Sequence, residues 1–220
     1  IGSSPADSTS LVFNGGTLEY LGGNTTIDHG ATIQAAGATL SITNGTTLTM
    51  GGTLTGTGAL TKIGNGQLTL TVPNNYPGGT VISAGTIRAA QGSGATLSAL
   101  GTNTITLNGN TSAATFQFGG DAEVLNNPLH IVNTNNFISH GGNDQVTDIT
   151  GSGTVNLEGA SGNVFTIAGD MSTFTGTIFV DTISNARVLP NSGTNAGGIN
   201  AVFNLGTGSG FVNNRNGNLN

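Results

Sequence analysis

The 220 residues contain no cysteine and no tryptophan, five prolines, and charge at only 6% of positions. Without cysteine there is neither a disulfide framework nor thiol chemistry. Ten acidic residues against four basic ones give a net charge of -6, which excludes the basic footprint of a nucleic-acid binder. No apolar run approaches the ~18 residues of a membrane-spanning helix, and no secretory leader is recognisable. The opening Ile-Gly-Ser-Ser-Pro, lacking an initiating Met, is what a processed or trimmed chain is expected to show. Little charge and 38 glycines are compatible with a low-complexity tract. Disorder, however, goes with high charge and few β-branched residues. Here Val, Ile and Leu alternate with Thr, which argues for a folded all-β chain.

What is abundant is the very short strand. Alternating segments at 17–20, 25–27, 39–42, 47–50, 67–71, 80–83, 86–89, 115–118, 146–149, 164–167 and 177–180 are separated by turns such as Asn44-Gly45, Gly51-Gly52 and Asn65-Gly66. No useful 3.6-residue period occurs, so almost no helix is expected. Apolar strand centres at Leu18, Ile27, Ile33, Leu40, Leu48, Leu54, Leu60 and Leu68 recur too closely for a β-sandwich, whose turn signals fall every ~8–12 residues. Segments this short suit the sides of a coil, each stacked on its equivalent one turn away. The prediction is one β-helix domain over 1–220, three short strands per coil of ~20–25 residues. About eight to ten coils at ~4.8 Å each make a rod of ~40–50 Å. Aliphatic residues point inward, Thr, Ser and Gln outward, and corners fall to Gly and Asn.

One stretch occurs twice. GTGALTKIGNGQLTLTVPNNYPGGTVISAGTIRAA, 56–90, is echoed at 151–189. Gly56 and Gly58 correspond to Gly151 and Gly153, Tyr76 to Phe174, Gly79-Thr80-Val81-Ile82 to Gly176-Thr177-Ile178-Phe179, and Arg88 to Arg187. In the second copy the lysine is missing, Asn156 standing near its place, and so is the Ala-Gly-Thr step. The first copy closely resembles the passenger-associated transport repeat of bacterial autotransporters: G-x-G-x-L-x-K-x-G-x-G-x-L-x-L, an Asn-x-Tyr-x-Gly-Gly-Thr turn, then Ala-Gly-Thr. The opening SSPADSTSLVFNGGTLEYLGG is similar to the lead-in of the same large proteins. The resemblance implies a right-handed parallel β-helix secreted from, or displayed on, a bacterium. It implies no particular ligand. These residues include no C-terminal membrane barrel, so a passenger fragment or a protein exported by another route is expected.

Residues with chemical potential are few. In His140-Gly-Gly-Asn-Asp144-Gln-Val-Thr-Asp148, Asp144 and Asp148 are weak metal candidates and, beside His140, a conceivable acid–base pair. The segment only faintly resembles the calcium-binding nonapeptide of β-rolls. The plainer reading makes Asn143 and Asp144 turn residues. Asp121 and Glu123 form a second acidic pair. A glycosidase or lyase needs carboxylates converging on a groove, and the only basic residues are Lys62, Arg88, Arg187 and Arg215. Lys62 is expected to be solvated, and His29 and His130 structural or solvated. Of Phe116, Phe118, Phe165, Phe174, Phe179 and Phe203, most are expected to pack inside. Without Trp, and with only Tyr20 and Tyr76, a lectin platform is disfavoured. Repeated Thr-x-Thr, as at Thr47-Leu-Thr49, follows from strand alternation, an ice-binding array being the alternative.

The expected function is therefore a non-enzymatic extracellular scaffold on the bacterial surface, without catalytic residues or cofactor. It is a rigid stalk or filament subunit with an adhesive role open to it. Expected partners are further copies, joined end to end through exposed terminal coils, and a polysaccharide or cell-surface ligand. No nucleic-acid partner is expected, and no membrane span in this chain. A tail at 206–220 rich in Gly and Asn is expected to fray unless something holds the end. The alternative function is a polysaccharide-binding or polysaccharide-cleaving β-helix.

Overall fold

A computed structural model describes residues 10–181, 185–188, 201–207 and 209–213. The expectation about the tail lies outside the described residues over 214–220. Among the described residues there are strands and turns but no helix, and every strand pairing is parallel. The strands run from two to six residues. They form four ladders, of seven, nine, three and six strands. Along the seven-strand ladder Thr17 pairs with Thr39 and Thr39 with Thr61, steps of 22 residues. Further on Thr80 pairs with Ile105, a step of 25, and Leu129 with Ile149, a step of 20. The chain is thus a β-solenoid whose coils have the length foreseen. Nine rungs on the longest ladder span roughly 40 Å.

Alternation sorts the side chains. In Thr47–Met50, Ala114–Phe118 and Val164–Ile167 the inward positions are buried and the outward ones half-buried. Stacking then gives columns such as Leu48–Leu68–Ile87–Phe116–Ile138–Leu157, an unbroken apolar axis. Outward threonines line up in the same way, Thr26–Thr49–Thr69 among them.

The third side of the coil changes along the axis. It carries the three-strand ladder first and the six-strand ladder later. At the change, the Asn-Asn-Tyr turn replaces a strand. Asn74 Oδ1 accepts the Leu54 N–H at 2.6 Å, while Nδ2 donates to Ala99 O at 2.5 Å, so one amide joins the coils on either side. Tyr76 is fully buried and its hydroxyl lies 2.7 Å from Thr80 Oγ1, which itself donates to Leu100 O at 2.9 Å. The second copy has Phe174 at that place, also fully buried. Tyr76→Phe should therefore fold and lose about 1 kcal/mol, the net worth of one hydrogen bond, read as a lowered urea midpoint.

The echo is structural as well as sequential. The first copy runs Leu54–Gly56, Leu60–Ile63, Gln67–Leu70, Thr80–Ile82, Gly85–Ala89. The second runs Ile149–Gly151, Thr154–Gly159, Val164–Ile167, Thr177–Val180, Asn185–Val188. The first passes from the three-strand ladder through the seven- and nine-strand ladders and then the seven and nine again. The second passes through seven, nine, six, nine and six, one face further round the coil.

Sequence matching placed Gly79 on Gly176; packing does not. Gly78 lies against Gly58, and Gly176 against Gly153, at separations that leave no room for a Cβ. Gly78 is therefore the structural counterpart of Gly176. The second copy has one residue fewer before its strand, and that slip inverts the facing of the strand itself. Phe179, expected inside, is the outward counterpart of Val81 and is 38% exposed. Two further expectations are corrected. Segment 146–149 is a corner between Gln145–Val146 and Ile149–Gly151 instead of a strand. Lys62 points inward, between Leu40 and Ile82, and is fully buried.

Candidate functional site

Polar groups concentrate at two places: an interior corner and an outer face. The corner begins with Gly119-Gly120-Asp121-Ala122-Glu123 after the strand Ala114–Phe118. One coil on, Gly141-Gly142-Asn143-Asp144 follows Asn136–His140. Val124 pairs with Gln145, which sets Glu123 and Asp144 at equivalent positions of neighbouring coils. Ala122, with φ of 56°, is the one described non-glycine residue in the left-handed region. This conformation helps turn the chain back so that Glu123 faces inward.

Both carboxylates are fully buried and bind backbone. Glu123 Oε2 accepts from the Gly119 and Gly120 N–H groups at 2.8 and 2.7 Å. Asp144 Oδ1 accepts from Glu123 N–H at 2.9 Å and Oδ2 from Gly142 N–H at 3.3 Å. His140, also buried, has Nδ1 3.0 Å from Gly142 O, so that nitrogen donates. Among the described residues Glu123 Oε1 and His140 Nε2 have no hydrogen-bond partner. Burial raises the Glu123 pKa, with the Asp144 charge adding to it and Gly119, Gly120 and Arg88 opposing. Burial likewise raises Asp144, against the backbone donors and His140, while Asp121 adds to the rise.

The residues singled out from the sequence are thus distributed among different tasks. Asp144 caps backbone inside the corner. Asp148 lies beyond the strand Gln145–Val146, its Oδ1 accepting from Asp170 N–H at 2.7 Å. Asp121 is exposed and its Oδ1 accepts from Asn143 N–H at 2.7 Å. Asn143 Oδ1 in turn accepts from Val164 N–H at 3.1 Å, continuing the contact to the next coil. Among the described residues no three His, Asp or Glu side chains gather to hold a metal ion. His29 is buried, 3.8 Å from the Asp28 carboxylate. His130 stands outward, Nδ1 2.9 Å from Thr150 Oγ1.

Lys62 is the interior cation that the sequence reading missed. Its stem continues the Leu40–Ile82 column, and Nζ donates to Ile63 O, Gly64 O and Ala84 O at 2.8, 2.7 and 3.2 Å. Burial lowers its pKa to about 8. In the second copy its inward place is taken by Leu157, with Asn156 facing out.

The outer face belongs to the nine-strand ladder. Its first rungs offer Thr47, Gln67, Thr86 and Thr115 in one column. Beyond Thr115 the same column becomes Phe137, Asn156, Phe179 and Asn204. Beside it stand Ser139 and Glu158, which pair across the ladder. Asn156 Nδ2 donates to Asn136 O at 3.0 Å, fixing the amide with Oδ1 left to accept. Neither phenylalanine was placed here from the sequence. The signal lay in aligning Tyr76 with Phe174 and carrying that offset forward.

A parallel β-solenoid with Lys62 buried at one corner and the Asn74–Tyr76 turn on its third side defines a repeat-bearing coil protein. The family model that matches is the passenger-associated-transport-repeat, over residues 60–89, so the chain carries that repeat. It is similar to the adhesin BmaC autotransporter of Brucella suis biovar 1 (strain 1330), 47% identical over 90 residues. That alignment takes in 40% of this chain and 3% of the relative's length. No solved structure matches the chain. No helix among the described residues is long and apolar enough to cross a membrane.

Proposed function

We propose that this chain is a section of a bacterial surface or secreted protein that works by adhesion, the solenoid holding its outer faces rigid for contact. The observation that carries the reading is the transport repeat at 60–89, set in unbroken parallel ladders. A relative named as an autotransporter adhesin supports it. The finer reading is a stalk extended, or a filament assembled, by stacking at the ends. Among the described residues Val12–Phe13, Thr17–Tyr20 and Thr25–Ile27 are each the last strand of a ladder, and such a strand can pair with a further rung, whether of the same chain or of another. The protein acts without catalysis. Glycan cleavage needs carboxylates presented to an open groove, and Glu123 and Asp144 are buried on backbone donors.

Beads coated with the chain should adhere to cultured mammalian cells, whereas beads coated with an unrelated acidic β-protein should not. Equal retention of the two would remove the adhesive reading. Sedimentation across a concentration series tests the stacking: a single species of constant mass would remove the filament version.

A further inference from the structure

We propose that the outer face formed by Phe137, Asn156 and Phe179, with Ser139 and Glu158 beside them, is a binding platform for a neutral, β-linked glycan chain lying along the solenoid axis. This rests on the adhesive reading and gives it a site and a ligand class. The ladder changes character at one point. Threonines and a glutamine occupy the column as far as Thr115, and then two aromatic rings flank an amide. Strand alternation accounts for outward threonine, since a β-branched polar residue suits a solvated strand. It does not account for outward phenylalanine. Phe179, 38% exposed, is among the few large apolar side chains so open.

The spacing selects the ligand. Phe137 and Phe179 belong to rungs separated by one intervening rung, that of Asn156, which sets them roughly 9.5 Å apart along the axis. That is about the length of one disaccharide unit in an extended β-linked pyranose chain, in which every second sugar presents the same face. Each ring can then stack on the C–H face of alternate sugars. Between them Asn156 Oδ1 accepts from hydroxyls, its Nδ2 being held by Asn136 O. The Ser139 hydroxyl and the exposed Glu158 carboxylate lie on the adjoining column. Charge narrows the class further. Glu158 and Asp181 are near enough for each to feel the other's charge, and the whole chain carries -6, so an acidic glycan is repelled. Rigidity contributes as well, because the rungs fix the rings before binding and little ordering is left to oppose it.

Isothermal titration with β-1,4-linked hexasaccharides of glucose and of N-acetylglucosamine tests the site. The intact chain should bind at least one of them, little affected by salt. Phe137→Ala/Phe179→Ala should bind at least tenfold more weakly while remaining folded at the assay temperature by circular dichroism, since both side chains face out of the coil, part-covered by their neighbours. Thr47→Ala/Thr86→Ala, on the threonine part of the same column, should bind as the parent does. Unchanged binding in the phenylalanine variant, or no binding of either sugar by the parent, overturns the platform. So does a dimer in light scattering that the same two substitutions dissolve, since the face would then belong to a second copy. The cell-bead assay separates the two levels. Adhesion that survives the phenylalanine substitutions and is not competed by the hexasaccharides overturns the platform and leaves the adhesive reading standing. Absence of adhesion by the parent chain removes the adhesive reading itself.

Discussion

Lys62→Ala is expected to lower stability by about 3 kcal/mol, from the lost stem and the loss of charge-assisted bonds to buried carbonyls. The ammonium is the donor for Ile63 O, Gly64 O and Ala84 O, and removing it leaves those acceptors without their cation. Lys62→Leu, the residue type that the second copy uses at Leu157, keeps the apolar stem in the Leu40–Ile82 column and should lose less. The amine also makes stability depend on pH. Its pKa falls from 10.5 in an exposed chain to about 8 in the fold. Between those values the unfolded chain binds a proton that the folded one releases, so stability rises with pH across the window. Below pH 8 the penalty of burying the charge is constant. Burial raises the Tyr76 pKa, and because the unfolded chain then gives up a proton that the fold holds, this group takes stability away as pH rises above about 10. Urea midpoints between pH 7.5 and 9.5 should therefore climb for the parent and stay level for Lys62→Leu. A level parent profile would show that the amine is not buried in solution.

The second large effect runs the other way on the pH scale. Glu123 and Asp144 have raised pKa values, burial being the chief cause in each. A carboxyl raised in the fold binds protons there more tightly than in the unfolded chain. Stability accordingly grows as pH falls from neutral through the folded pKa, and is fully gained below the unfolded value. The protein should melt several degrees higher near pH 5 than at pH 7.5. Glu158 acts in the same direction, while Asp170, lowered chiefly by its hydrogen bonds with Ser172, acts against it. The decisive comparison is thus with Glu123→Gln, which keeps an acceptor for Gly119 and Gly120 and removes the buried charge. It should be more stable than the parent at pH 7.5 and show a flatter profile. If Glu123→Gln melts lower at pH 7.5 and keeps the parent's slope, the buried-charge account is wrong.

Much of the fold can be read from short-range pattern. A strand such as Thr47-Leu-Thr49-Met50 shows its own facing, because alternation and Thr preference act within a few residues. The coil length follows from the spacing of those strands, and the transport repeat can be recognised from residues 56–90 alone. Two-residue strands such as Thr96–Leu97 and Val124–Leu125 leave too little alternation to be seen. Of the candidate site residues, Asp144 was legible as a turn residue, since Gly-Gly-Asn-Asp already marks a corner. That its carboxylate would reach Glu123 N–H on the coil before depends on register between coils, which no local pattern carries.

The amino-acid sequence by itself determined that this protein is a stack of short parallel rungs with almost no helix. Alternation and glycine punctuation operate along the chain, and strands so brief and closely spaced fit the sides of a coil better than two broad sheets. Only the tertiary structure decided where single residues face: Lys62 inside among carbonyls, Glu123 inside on two amides, Phe137 and Phe179 outside. A shift of one residue between coils inverts a strand, and that shift is fixed by the coils above and below, as where Gly176 packs on Gly153.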